Sequence, residues 1–91
     1  MSKINIEKPT SERLASLGVT RWPTWSKEVS QFPWRFNTQE IAYILEGEVT
    51  ITPNDGSAAV SFQAGDLVTF PAGLSCTWNI KKALRKHYQL G

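Results

Sequence analysis

The first residues of the chain alternate between apolar and polar side chains. Between residues 3 and 8, Ile4 and Ile6 are separated by polar neighbours, which is the period of a strand with one buried face. Pro9 ends the pattern, since proline is confined to edge strands and strand ends. We therefore expect a short edge strand at the N-terminus.

The pattern then changes to that of a brief helix. Thr10 and Ser11 are suitable N-cap residues, and Leu14 and Leu17 would share one face of the following turns. Gly18 is well placed to end the helix, because glycine adopts the left-handed conformation common after a last helical turn.

From Val19 onward, short alternating segments are separated by turn-forming residues. Val49 and Ile51, for example, share a face between polar neighbours. Such spacing is typical of an all-β barrel or sandwich. The predicted turns lie at Pro23, Pro33, Gly47, Pro53 to Gly56, Ala64 to Asp66, and Pro71 to Gly73.

The segment from Glu40 to Glu46 departs from simple alternation, because both of its faces are largely apolar. One face carries Ala42 and Ile44, and the other Ile41, Tyr43 and Leu45. The outer face must be covered by the N-terminal strand or by a second subunit. We expect a homodimer, since the two-fold dimer is the commonest closed assembly.

Length and composition narrow the class of protein. The 91 residues suffice for one domain, and a net charge of +2 is too small to indicate nucleic-acid binding. No apolar run approaches the roughly 18–20 residues of a membrane span. With Cys76 as the single cysteine and no secretory signal in the first residues, we expect a cytoplasmic protein without an intrachain disulfide.

Two motifs carry a resemblance to a known family. Glu40 is followed by six residues and Gly47, and a second motif places Gly65, Pro71 and Gly73 in a fixed spacing. This spacing resembles the two motifs of the cupin superfamily, whose second motif usually ends in a histidine; here Cys76 stands at that place.

The segments FPWRF, YILEGEVTITP, AGDLVTFPAGLSCTW and RKHYQLG are similar to small single-domain cupins grouped with the (S)-ureidoglycine aminohydrolase cupin domain. The resemblance spans about residues 22 to 91. It implies an all-β fold, a small double-stranded β-helix (jelly-roll) barrel with an internal pocket. The expected single domain, 1–91, thus has an N-terminal strand and short helix over 1–21 and the barrel over 22–91.

The resemblance does not carry over the family's metal site. Cupins bind metal through two histidines, a glutamate and a later histidine, and these places hold Trp34, Phe36, Glu40 and Cys76. Indole and phenyl rings offer no lone pair to a metal, and a catalytic site needs about three protein ligands. We therefore predict no cofactor and no metal site; a divalent metal held by Glu40, Cys76 and His87 is the alternative.

The same positions define the candidate ligand site. Trp34, Phe36, Glu40, Cys76 and Trp78 are the predicted ligand-binding residues, since convergent rings around one carboxylate suit a small organic, particularly cationic, molecule. Glu40 and Cys76 are also candidate catalytic residues, as a proton-transfer group and a nucleophile. The alternatives are a hydrogen-bonded structural glutamate, a buried thiol filling space, and rings that form core.

The basic run near the C-terminus has a simpler interpretation. Lys81, Lys82, Arg85, Lys86 and His87 alternate along a strand, which directs their charges to different sides. We expect a solvated surface rather than a binding patch.

Three functions are compatible with this sequence. The first is a binding module that holds a small organic molecule, with neither nucleic acid nor membrane as partner. The second is an enzyme, dependent on a metal at Glu40, Cys76 and His87 or metal-free with Glu40 as acid and base. The third is a structural or interaction protein whose pocket is filled by its own side chains.

Overall fold

Two long antiparallel strands form the centre of the computed structural model, which describes residues 3–91. Within that range there are seven strands and two short helices. In chain order they are β1 (Asn5–Glu7), α1 (Ser11–Leu17), a 3₁₀-helix (Val19–Arg21), β2 (Thr24–Lys27), β3 (Ser30–Arg35), β4 (Glu40–Pro53), β5 (Val60–Gln63), β6 (Leu67–Phe70) and β7 (Ser75–Leu90).

The long strands β4 and β7 pair with each other along most of their length and take part in both halves of the barrel. In one half, β1, β6, the start of β4, the end of β7 and β2 lie side by side. In the other half, β5 pairs with the end of β4 and β3 pairs with the start of β7. All pairings are antiparallel, so the chain forms the expected all-β jelly-roll barrel.

Gly47 lies where β4 passes from one half to the other. The β4–β7 register shifts between Ile44 and Val49, the signature of bulges that bend a strand. Gly47 has φ +109°, and a Cβ atom there would lie 2.6 Å from the Ala83 carbonyl oxygen. The predicted turn at Gly47 is therefore wrong, because the glycine permits close strand contact inside a continuous strand.

Pro33 is also not in a turn. It lies within β3 opposite Thr77 of β7. Strand β3 has one strand neighbour among residues 3–91, so a residue without a backbone N–H is tolerated at this edge. The predicted turns over 64–66 and 71–73 are confirmed, and so is the turn predicted over 53–56, except that Pro53 is still the last residue of β4.

The N-terminal segment follows the predicted pattern. The Thr10 side chain accepts a hydrogen bond from the Arg13 backbone N–H, and Gly18 closes α1 with φ +69°. A 3₁₀-helix over Val19–Arg21 occupies the point from which alternating segments were predicted, so the first strand of the barrel begins only at Thr24. It follows α1 directly, and the Arg21 and Trp22 amides complete its turns on the Gly18 and Val19 carbonyls.

The N-terminal strand does not cover the outer face of β4. Strand β1 pairs with β6 and so extends the sheet in its own plane. Ile41, Tyr43 and Leu45 are half-buried, and the latter two line a groove beside α1 and the 3₁₀-helix. Neither helix of residues 3–91 has the length and apolar character needed to cross a bilayer.

The core lies between the two halves of the barrel and is rich in aromatic rings. Phe36 stacks on Phe70 with ring centroids 4.6 Å apart, and Phe62 and Trp78 pack against the same ring. Aliphatic side chains complete the cluster: Ala42, Ile44, Val49, Ile51, Val68, Leu74, Ile80 and Leu84.

Candidate functional site

A pocket of about 230 Å³ opens next to this aromatic core. Its walls come from strands β2, β3, β4 and β7, so residues distant in sequence meet there. Six of its side chains are aromatic or aliphatic, and two are charged. The lining residues are Trp25, Phe32, Trp34, Glu40, Trp78, Lys86, Tyr88 and Leu90.

The two charged side chains form a buried ion pair. Lys86 Nζ donates a hydrogen bond to Glu40 Oε2 at 2.5 Å. The side chains are only 8% and 6% exposed for Glu40 and Lys86, respectively. Glu40 begins β4, whereas Lys86 lies on β7 opposite Ile44, and each charge is neutralised by its neighbour rather than by water.

Aromatic rings surround the ammonium group of Lys86. Nζ lies 4.9 Å from the ring centroid of Trp78, 5.1 Å from that of Trp25 and 5.8 Å from that of Tyr88. These distances are within the range of cation–π attraction. The neighbouring Phe32 stacks on Trp78 at 6.0 Å and 10°, which extends the aromatic wall.

Burial lowers the pKa of Lys86 below its ordinary value of 10.5. The cause is desolvation of the ammonium, and the nearby Glu40 carboxylate opposes the effect without cancelling it. The site thus contains an amine that releases its proton more readily than a lysine in water.

The structure brings three of the five predicted ligand-binding residues to the pocket. Glu40, Trp34 and Trp78 line it, with Trp34 51% exposed at its opening. Phe36 and Cys76 are buried in the core and lie outside the lining. Phe36 and Cys76 instead contact residues that line the pocket: Phe36 packs against Trp78, and Cys76 hydrogen-bonds to the backbone of Trp34.

Cys76 is fully buried, and it shares its face of β7 with the buried Trp78 and Ile80. Its thiol donates a long hydrogen bond of 3.7 Å to the Trp34 carbonyl oxygen. Burial raises the pKa of the thiol, and the indole of Trp78 opposes this effect. The reactive thiolate form is therefore disfavoured at neutral pH. Trp78 Nε1 has no hydrogen-bond partner of good geometry among residues 3–91.

Glu40, Cys76 and His87 do not form one donor set. Glu40 pairs with Lys86, and His87 Nδ1 lies 3.0 Å from the Trp22 carbonyl oxygen, beside the groove at α1. His87 adjoins Lys86 in β7, so the two side chains point to opposite faces. Across residues 3–91, no three His, Cys, Asp or Glu side chains are grouped as ligands of one ion. The residues at the cupin metal positions thus do not fit a metal.

The expectation that the whole basic run is solvated is wrong for Lys86. Lys81, Lys82 and Arg85 are exposed, but Lys86 is 5% exposed. The signal that could have identified it is parity: Lys86 shares its face of β7 with Trp78 and the buried Leu84. Four further lining residues were not predicted from the sequence: Trp25, Phe32, Tyr88 and Leu90.

Barrel topology, motif spacing and a pocket within the barrel together define a cupin domain. A family model described as EutQ-like cupin domain matches residues 14–88, and the chain belongs to this family. A search of curated proteins gave no significant match.

Solved structures agree with this assignment. The crystal structure of a DUF861 family protein from Thermotoga maritima is 50% identical, with a TM-score of 0.95, and the match covers 98% of this chain and 100% of that one. The Clostridium difficile EutQ protein is 24% identical with a TM-score of 0.65, over 74% of this chain and 52% of that one. A DUF1255 protein of unknown function from Acidithiobacillus ferrooxidans is 16% identical with a TM-score of 0.66, over 70% and 60%. The last two similarities concern the fold alone.

Proposed function

We propose that this cupin domain binds a small organic molecule in the pocket above the Glu40–Lys86 pair. The observation that carries the proposal is the combination of a buried, neutralised ion pair with aromatic walls in one open cavity. Ligand sites in proteins have this composition, mostly apolar with a few convergent polar groups. At about 230 Å³ the cavity is smaller than the roughly 300–1,000 Å³ of drug-sized sites, so the ligand is a small metabolite.

The sequence resemblance to the (S)-ureidoglycine aminohydrolase cupin domain supports a particular set of test compounds. Ureido compounds, amides and amines of small size form a suitable thermal-shift screen. A ligand at 100 times its Kd stabilises the folded state by about 2.7 kcal/mol, which raises Tm by about 10–20 °C for a domain of this size.

The test compares wild-type protein with Glu40→Gln. We expect the hits of the screen to lose most of their Tm shift in the variant, because the carboxylate contacts the ligand. The control is Glu48→Gln, which changes a carboxylate of β4 outside the pocket lining. Hits that bind equally well to wild type and Glu40→Gln would contradict the proposal.

A metal-free enzyme is the second candidate, favoured by the lowered pKa of Lys86 beside a carboxylate. Such a pair can move a proton to or from a bound molecule. Incubating each hit with protein in deuterated water tests this use, because proton transfer at carbon appears as deuterium incorporation. Deuterium incorporation that disappears in Glu40→Gln would support catalysis. Binding without incorporation would contradict the enzymatic function and leave binding as the proposed function.

A further inference from the structure

The charges of the pocket already satisfy each other, which restricts what it can bind. Lys86 supplies one positive charge and Glu40 one negative charge, in contact at 2.5 Å. A charged ligand would therefore enter a site without a free counter-ion. It would also lose its water, a cost that only a compensating charge offsets.

The three rings nearest the ion pair are not free to receive a ligand cation either. Trp25, Trp78 and Tyr88 are the rings that a cationic ligand would use, and the Lys86 ammonium occupies this position at 4.9–5.8 Å from their centroids. A second cation there would lie next to the first and be repelled. The rings thus contribute flat apolar surface rather than a vacant cation site.

Hydrogen-bonding capacity remains on both partners of the pair. Glu40 Oε1 has no hydrogen-bond partner among residues 3–91. In the same range, Trp78 Nε1 is the one fully buried side-chain N or O atom without a partner. Oε1 is therefore not fully buried and is accessible from the pocket. The ammonium of Lys86 has three N–H donors, one of which is used by Oε2. The lining thus offers an acceptor and a donor side by side.

We infer that the pocket selects uncharged, planar molecules that carry a carbonyl next to an N–H, as in a carboxamide or a cyclic amide. The ligand N–H donates to Glu40 Oε1, its carbonyl oxygen accepts from Lys86 Nζ, and its planar body packs against the aromatic side chains that line the pocket. This inference rests on the proposed binding function and specifies the ligand class.

Four compounds of similar size and shape test the selectivity on wild-type protein. Benzamide has both groups, acetophenone lacks the N–H donor, benzylamine is a cation and benzoate an anion. Dissociation constants come from proton–nitrogen correlation spectra, in which the indole signals of Trp25, Trp34 and Trp78 report on the pocket. Trp22, which lies outside its lining, is the internal control.

We expect benzamide to bind about tenfold or more tightly than the other three, the effect of one hydrogen bond to a charged group. Benzylamine or benzoate binding as tightly as benzamide would overturn the inference while leaving the binding function intact. If no compound here and none in the thermal-shift screen perturbs the pocket indoles, the binding function itself is wrong.

Two variants should change the preferred compound from the neutral benzamide to a charged one. Lys86→Met leaves the carboxylate without its cation and should make benzylamine the preferred compound. Glu40→Gln leaves the ammonium unpaired and should favour benzoate. Lys82→Met, which removes an exposed lysine of the same strand, should retain the preference for benzamide. Unchanged preferences in folded Lys86→Met and Glu40→Gln would overturn the inference, and the wild-type series decides if either variant does not fold.

Discussion

Removing one partner of the buried ion pair should destabilise the protein much more than removing both. The distance of 2.5 Å between Lys86 Nζ and Glu40 Oε2 corresponds to an attraction of about 7 kcal/mol at an effective dielectric constant of about 20. Taking the two ions out of water costs several kcal/mol each, so the intact pair adds little net stability.

Lys86→Met removes the attraction but leaves Glu40 desolvated. We expect a loss of about 3–5 kcal/mol in the free energy of unfolding, a large part of the roughly 5–14 kcal/mol typical of a chain this long. Tm should fall by roughly 12–40 °C. The variant Glu40→Met should lose a similar amount, because it leaves an unpaired ammonium.

The double variant Glu40→Met/Lys86→Met should lie within about 2 kcal/mol of wild type or exceed it, since two unbranched apolar side chains of similar length replace the pair. Urea unfolding, followed by tryptophan fluorescence, gives the free energy of unfolding of wild type and the three variants. Urea is uncharged and therefore does not screen the ion pair. A loss below about 1 kcal/mol in Lys86→Met, or additive losses in the double variant, would show that the two charges are not a buried pair.

Three further predictions follow from burial and backbone geometry. Gly47→Ala should lower the free energy of unfolding in urea by about 2–5 kcal/mol, because its Cβ would meet the Ala83 carbonyl at positive φ. The control Gly56→Ala also has positive φ but open space around it, and should lower the free energy of unfolding by only about 1–2 kcal/mol. Equal losses in the two variants would contradict the close contact at Gly47. Cys76 should react with a thiol reagent only on unfolding, since burial raises its pKa, and rapid labelling of native protein would refute this. The pKa of Lys86 measured by carbon NMR should lie below 10.5. The folded state then binds fewer protons than the unfolded state, so the contribution of Lys86 to stability should increase as the pH rises from its folded-state pKa to 10.5. A decrease over this pH range would contradict the burial effect.

Local sequence signals predicted the elements that depend on neighbouring residues. Helix α1 formed where Thr10 and Gly18 marked its ends, and Val49 and Ile51, predicted to share one face of a strand, are both buried in the core. Gly47 could not be assigned in this way. A glycine with positive φ serves equally in a turn and in a bulge, and only the approach of Ala83 in the distant strand β7 distinguishes them.

The candidate site was predicted in part for the same reason. Motif spacing identified Glu40, but its partner is 46 residues away and lies in a run of lysines and arginines that resembles a solvated surface. The burial of Lys86 depends on tertiary contacts, because its charge is stabilised in the interior only by the Glu40 carboxylate and the surrounding aromatic rings. Local sequence does not show these contacts. Phe36 and Cys76 show the converse, since inward direction alone does not decide whether a side chain reaches the cavity.

The two sides of the pocket differ in how firmly the fold anchors them. Glu40 lies on a long strand with neighbours on both sides, whereas Trp25 and Trp34 lie on short strands whose pairing among residues 3–91 is with β7 alone. Short edge strands open locally at lower free energy than central ones. The proposed ligand would therefore enter and leave by local opening of β2 and β3 while Glu40 keeps its position. Its exchange rate and its selectivity would then depend on different parts of the fold.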